Sequence, residues 1–307
     1  MVAGRDAIQE IPANENSEII MKLSSLAMGL IIGSMNALVG CTSPTPVRQL
    51  GESYRPFDRA VFIRSRVKAP EGSKSDATGG LEPSDNKPEK RKFRMITGTG
   101  FFVHDSERLY FVSAKHVAEN LAPHTQLAFL NKRGESKAFR LGQLLRGPDD
   151  FKWKHHPDAD VSVIELFPHQ GVKQEVMDLS LSSGSLASTI PPRATKAVIC
   201  GFPMGQGTHG KISSITTVVH VASKRIPIAF AKKLMDAFLV SPPAGSGFSG
   251  GPVFYEDPNT HKYVCIGLLS GSIADVSGGK LSTVMPAEFI LNMLKAEEHA
   301  NEPVPSE

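Results

Sequence analysis

The stretch Gly245-Ser246-Gly247-Phe248-Ser249-Gly250-Gly251-Pro252 sets a serine among glycines and ends in Gly-Pro. Glycine allows positive-φ backbone and close approach of other groups. A turn built this way presents the Ser249 hydroxyl and aims backbone N–H groups at a negative charge developing beside it. That is the setting of a nucleophilic serine. A serine hydroxyl is a weak nucleophile at neutral pH, however, and needs a base at its side.

The chain holds ten histidines, so a histidine alone identifies nothing. His116 differs in its setting: the apolar, β-prone run Leu109-Tyr110-Phe111-Val112 ends in small residues and then Lys115-His116-Val117. Gly98-Thr99-Gly100-Phe101-Phe102-Val103 precedes it as another strand. Downstream lies Asp158-Ala159-Asp160-Val161-Ser162-Val163, a carboxylate pair leading into an alternating strand. Asp158 and Asp160 both stand where an acid could orient the histidine. The neighbouring His155 and His156, with Asp158, would suggest a metal site, but no second ligand cluster follows at the usual spacing. A solvated loop is the expectation, with no bound metal.

Taken in order, Gly98-Thr99-Gly100-Phe101, the turn ending in His116, Asp160-Val161-Ser162-Val163 and Gly247-Phe248-Ser249-Gly250-Gly251-Pro252 resemble the motifs of the chymotrypsin-like (trypsin-fold) serine peptidases. The resemblance is to the bacterial trypsin-like, Deg-type branch and spans residues 58–295. It implies peptide-bond hydrolysis with Ser249 as nucleophile, His116 as base and later acid, and Asp160 (preferred over Asp158) as the group orienting the imidazole. The N–H groups of Gly247 and Ser249 would form the oxyanion hole. Substrates would be proteins or peptides, and no cofactor or metal is implied.

The resemblance also places a substrate pocket at Pro243 and along Leu268–Ser272, chiefly Leu269, Ser270 and Gly271. No Asp or Glu stands there to receive Arg or Lys, so cleavage after smaller apolar residues is expected. Phe248 departs from the digestive members, which carry an Asp there to pair with a freshly cut N-terminus. What holds the oxyanion loop in this chain is left open by the sequence.

The same residues admit three other readings. Gly247-Phe248-Ser249-Gly250-Gly251 also fits the nucleophile elbow of α/β-hydrolases, but that elbow leads into a helix and precedes its acid and histidine. Here Val253-Phe254-Tyr255 reads as a strand, and only His261 and His299 lie downstream. A catalytically silent binding or scaffold protein of the same fold is the second reading, with Phe248 and Lys115 as its grounds. An esterase is the third.

The elements needed to position these groups are legible in outline. An all-β chain is expected, with two six-stranded antiparallel barrels at 59–181 and 194–286 and a closing helix from Ala287 to His299. Strands are expected at 60–67, 96–103, 109–113, 126–131, 138–145 and 160–167. A Gly/Ser/Pro-rich connection follows at 182–193, then strands at 195–202, 211–222, 236–241, 252–256, 262–271 and 280–286. The peptidase domain would run 59–298, without a PDZ-type domain after it, and 299–307 would be a tail. Residues 69–92 are poor in apolar side chains and read as a long disordered loop. Its basic end, Lys90-Arg91-Lys92, reads as solvated, and a net charge of +3 implies no nucleic-acid partner. Cys200 and Cys265 both fall in expected strands, as a bridge or as two buried thiols.

The N-terminal region carries a separate signal. Met21-Lys22 precedes an apolar run from Leu26 to Val39, which ends Leu38-Val39-Gly40-Cys41. A cationic start, a short apolar core and small residues before the cut mark a secretory signal. Its ending resembles the bacterial lipobox, with Cys41 as the lipidated residue. Residues 1–40 are therefore expected to be leader and signal, with translation starting at Met21 because the acidic 1–20 segment is wrong for a signal. Residues 41–58 are expected to be a tether. The protein would be exported and held on the envelope membrane through Cys41.

Overall fold

The computed structural model describes residues 56–68, 93–230 and 233–300. The expected leader, Cys41, the loop 69–92 and residues 301–307 of the tail lie outside these. Pro56–Arg59 form a 3₁₀ turn, not the end of a tether. Phe57 packs edge-on against Tyr263 at 5.2 Å, and its carbonyl accepts the Ser214 hydroxyl. The folded body therefore takes in the last residues assigned to the tether.

The first sheet comprises β1 (Ala60–Lys68), β2 (Phe93–Asp105), β3 (Arg108–Ser113), β4 (Gln126–Leu130), β5 (Ser136–Arg140), β6 (Lys154–His155), β7 (Ser162–Leu166) and β8 (Leu181–Ser182). Its order is β5-β4-β1-β2-β3-β7-β6, with β8 parallel to β2. In β1, Ile63 and Ser65 are buried while Arg64 and Arg66 are exposed, the period of two that a one-sided strand requires. Just past β7, the Phe167 N–H donates to Leu144 O at 2.7 Å, tying the turn that follows β5 to the β7 side of the sheet. Phe102 fills the interior against Phe111 and Phe129. Two strands of this sheet have only two residues each and escaped the sequence reading, being too short for periodicity to show. The expected strand 138–145 divides into β5 and a 3₁₀ turn at Leu141–Leu144.

The second sheet comprises β9 (Lys196–Gly201), β10 (Ile215–Val221), β11 (Ile226–Phe230), β12 (Lys233–Ser241), β13 (Pro252–Glu256), β14 (Tyr263–Ala274) and β15 (Lys280–Pro286). Its order is β10-β9-β13-β14-β15-β12-β11, and β10 also pairs with β12. Six strands thus close a ring, and β11 is added outside it as a hairpin on β12. Strand β11 was not expected, because Pro227 interrupts its apolar run, whereas β12 was expected as 236–241. An edge strand tolerates the proline, having no partner on its outer side.

Among the described residues, three helices complete the fold: α1 (Lys115–Ala118), α2 (Gln170–Leu179) and α3 (Ala287–Ala300). The second was not anticipated, although its buried Val172, Val176 and Leu179 recur at helical spacing. Helix α3, as expected, closes the fold; Ile290 and Leu294 are buried, and it touches β7 of the first barrel as well as β14 and β15. Cys200 and Cys265 are unbridged, fully buried thiols. Burial raises both; Cys265 is pushed up to about 12.

Candidate active site

His116 sits on α1, a single turn that follows directly on β3 and Ala114. The first N–H groups of any helix lack partners within it. Here the His116 N–H donates to Asp160 Oδ1 at 2.9 Å, while the His116 Nδ1 lies 2.8 Å from Asp160 Oδ2. One carboxylate therefore fixes both the backbone and the ring of the histidine. Asp160 is 2% exposed and has a third donor, the Ser270 hydroxyl, at 2.5 Å. Burying a carboxylate is costly unless its lone pairs are occupied, and three donors occupy them here. The His116 side chain is 41% exposed.

Asp158 is turned away. It is largely exposed and paired with Lys233 at 2.9 Å, and that bond holds its carboxyl below the usual range. His155 Nδ1 is hydrogen-bonded to Ser162 Oγ at 2.6 Å, and His156 packs against Phe289 at 4.6 Å with the rings tilted 54°, where burial lowers its basicity. Among the described residues, no cluster of side chains is arranged to hold a metal ion.

Ser249 lies on the turn between β12 and β13, facing the first barrel. Thr99 N–H donates to Ser249 O at 2.9 Å, a main-chain clasp between the barrels. Gly250 adopts φ +85°, and a Cβ there would stand 2.1 Å from Thr99 O and 2.4 Å from Ser113 Oγ. Only glycine permits that approach. The Ser249 hydroxyl donates to Ser270 O at 3.1 Å. Among the described residues, no hydrogen bond joins it to His116. Catalytic hydrogen bonds are often long or misaligned without substrate, and a χ1 rotation is the motion available to the hydroxyl.

The backbone N–H groups of Gly247 and Ser249 have no hydrogen-bond acceptor among the described residues. Two contacts fix the turn that carries them. The Met204 N–H donates to Ser246 O at 2.8 Å, turning the other side of that peptide, the Gly247 N–H, away from Met204. The Thr99 hydroxyl donates to Gly247 O at 2.8 Å and accepts from the Phe202 N–H at 3.2 Å. Gly247 is thus held at φ +98° from both sides. Phe248, 2% exposed, is packed in the core of the second barrel with Phe238 and Val253. An apolar anchor and a buried hydroxyl hold this loop, so no ion pair is needed at Phe248.

The expected pocket residues divide. Leu269 is 2% exposed and packed inside the second barrel, so its side chain lines no pocket; its N–H and C=O pair with Gly251 and Gly250. Ser270 is also fully buried, but its two oxygens face Asp160 and Ser249, a role the sequence did not reveal. Gly271 and Pro243 are half-buried. Phe230, at the end of β11, was not anticipated either: its ring lies 6.2 Å from that of His116.

No protein-family model and no curated protein matches the chain. Solved structures do resemble it. The protease domain of MamO from Magnetospirillum magneticum is 13% identical, over 77% of this chain and 96% of that one, with a TM-score of 0.49. The active form of the Rv3671c protease from M. tuberculosis is 17% identical over 98% and 97%, with a TM-score of 0.49. A variant of the HtrA-type protease AlgW with a decapeptide is 14% identical over 80% of this chain and 65% of that one, with a TM-score of 0.50. Identities this low bear on architecture alone. With its closed six-stranded ring and the first barrel beside it, the chain has the trypsin-like two-barrel fold.

Proposed function

We propose that the protein is a serine endopeptidase. The observation that carries this reading is the buried Asp160 carboxylate, bonded to both the amide and Nδ1 of His116. In that role Asp160 holds the tautomer with the proton on Nδ1, leaving Nε2 free to take the Ser249 proton and pass it to the leaving amine. The free N–H groups of Gly247 and Ser249 would stabilise the oxyanion of the tetrahedral intermediate. The reaction needs no cofactor.

Purified protein is expected to cleave casein into peptides, with all cleavage lost in Ser249→Ala. A folded wild type that leaves casein and a mixed peptide library intact would reject the reading. The bond from the Ser249 hydroxyl to Ser270 O, away from His116, favours a second reading, a catalytically silent binding protein of the same fold.

We further propose export and anchoring to the envelope membrane through lipid on Cys41. Support comes from the run ending Leu38-Val39-Gly40-Cys41. Cells expressing the full chain should incorporate radiolabelled palmitate into it, and Cys41→Ala should abolish incorporation. Equal labelling of the variant would reject Cys41 as the site.

A further inference from the structure

Strand β11 and the stretch of β12 paired with it, Lys233–Ala237, extend beyond the closed ring of the second barrel and reach His116. On β11, Ile226, Ile228 and Phe230 share one face, as alternate residues of a strand must. Ile228 is 7% exposed, and its cross-strand partner Met235 also packs on the core. The apolar face of the hairpin therefore lies inward. At its end, Lys233, the partner of Phe230, donates to Pro157 O and to Asp158 Oδ1. That joins the hairpin to the first-barrel segment leading into Asp160.

Phe230 is consequently fixed between the two barrels. Its ring is tilted 39° to the His116 imidazole at 6.2 Å between centroids. Gly271 also adjoins the ring: a Cβ there would stand 3.2 Å from Phe230 Cε2. The missing side chain at 271 is the space beside which the ring lies. Gly271 adjoins Ser270, whose carbonyl faces Ser249 and which falls at a bulge in the β14–β15 ladder, between Leu269 and Gly271.

These positions define the path of a peptide. Its attacked carbonyl must stand at Ser249 Oγ within reach of the Gly247 and Ser249 N–H groups, and its leaving nitrogen within reach of His116. The acyl side then leaves along Ser270 and Gly271. We infer that Phe230 is a specificity-determining residue: with the His116 ring and Gly271 it walls the site of the side chain one residue before the attacked carbonyl's own residue, and it admits only small side chains there. This rests on the peptidase reading and adds to it a substrate class, peptides with Gly, Ala or Ser at that position.

The test is a peptide series in which only that residue varies, from Ala through Leu to Phe, read as kcat/KM. Pocket size discriminates by roughly ten- to two-hundred-fold per added group, so the wild type should favour Ala over Phe by at least about tenfold. In Phe230→Ala the ratio should fall to about threefold or less, and in Phe230→Leu it should fall between. Circular dichroism establishes folding of both variants. Hydrolysis by the variants with the wild-type ratio, or a wild type indifferent to this residue, overturns the assignment to Phe230 while leaving the peptidase reading intact. No hydrolysis of any peptide by folded wild type overturns both.

Discussion

Asp160→Asn should lower kcat on a peptide substrate by about 10⁴-fold, the scale set by loss of the orienting carboxylate in such a triad. The carboxylate accepts from three donors at once: the His116 amide, the His116 Nδ1 and the Ser270 hydroxyl. An amide side chain has one oxygen and one NH2 group, so it cannot accept from all three. With its oxygen on the His116 amide, its NH2 faces Nδ1 and favours the tautomer protonated on Nε2. That nitrogen can then no longer accept the Ser249 proton. Substrate binding does not pass through Asp160, so KM should change little. Asp158→Asn, which removes only an exposed pair with Lys233, should stay within about threefold of wild type, because surface ion pairs contribute little. Near-normal kcat in Asp160→Asn would remove Asp160 from the mechanism.

The second large effect is expected at Thr99. Thr99→Val keeps the shape of the side chain and deletes its hydroxyl, leaving Gly247 O and the Phe202 N–H without their partner in a buried place. An orphaned buried group costs about 1–3 kcal/mol. The Gly247–Phe248 peptide can recover that cost by rotating, and rotation carries the Gly247 N–H out of line with the oxyanion. Losing an oxyanion donor outright costs about 10²–10³ in kcat; through Thr99 we expect about 10². KM should hold within about threefold, since the lost interaction belongs to the transition state. Thr99→Ser should restore most of the activity, which a merely space-filling threonine would not require. Full kcat in Thr99→Val would show that Met204 and Phe248 hold the loop unaided.

The parts of this site legible in the sequence are those carried by local pattern. The turn around Ser249 announces itself through its glycines, and Gly250 is needed both for its φ and for the approach of Thr99. The strand alternation around Ile63 and the helical face of Ile290 and Leu294 were equally readable. Thr99 was visible only as a polar residue between strand glycines. Its function depends on Gly247, 148 residues away, and no local pattern contains that. Ser270 has the same character, joining Asp160 and Ser249 from a third position in the chain. Leu269 was misassigned because a stretch named as pocket lining takes no account of faces: Leu268 packs into the larger core and Leu269 into the second barrel. Phe230 was hidden by Pro227, which broke the strand pattern that would have revealed the hairpin.

The central claim is that Ser249 is activated by His116 and Asp160, and a fluorophosphonate probe tests it most directly. Such a probe phosphonylates a serine whose proton is removed by a neighbouring base, the serine oxygen bonding to phosphorus as fluoride leaves. The account predicts covalent labelling of the native protein at Ser249, located by mass spectrometry, and none in Ser249→Ala or in heat-unfolded wild type. A correctly folded protein that takes up no label, or takes it up at another residue, would contradict it.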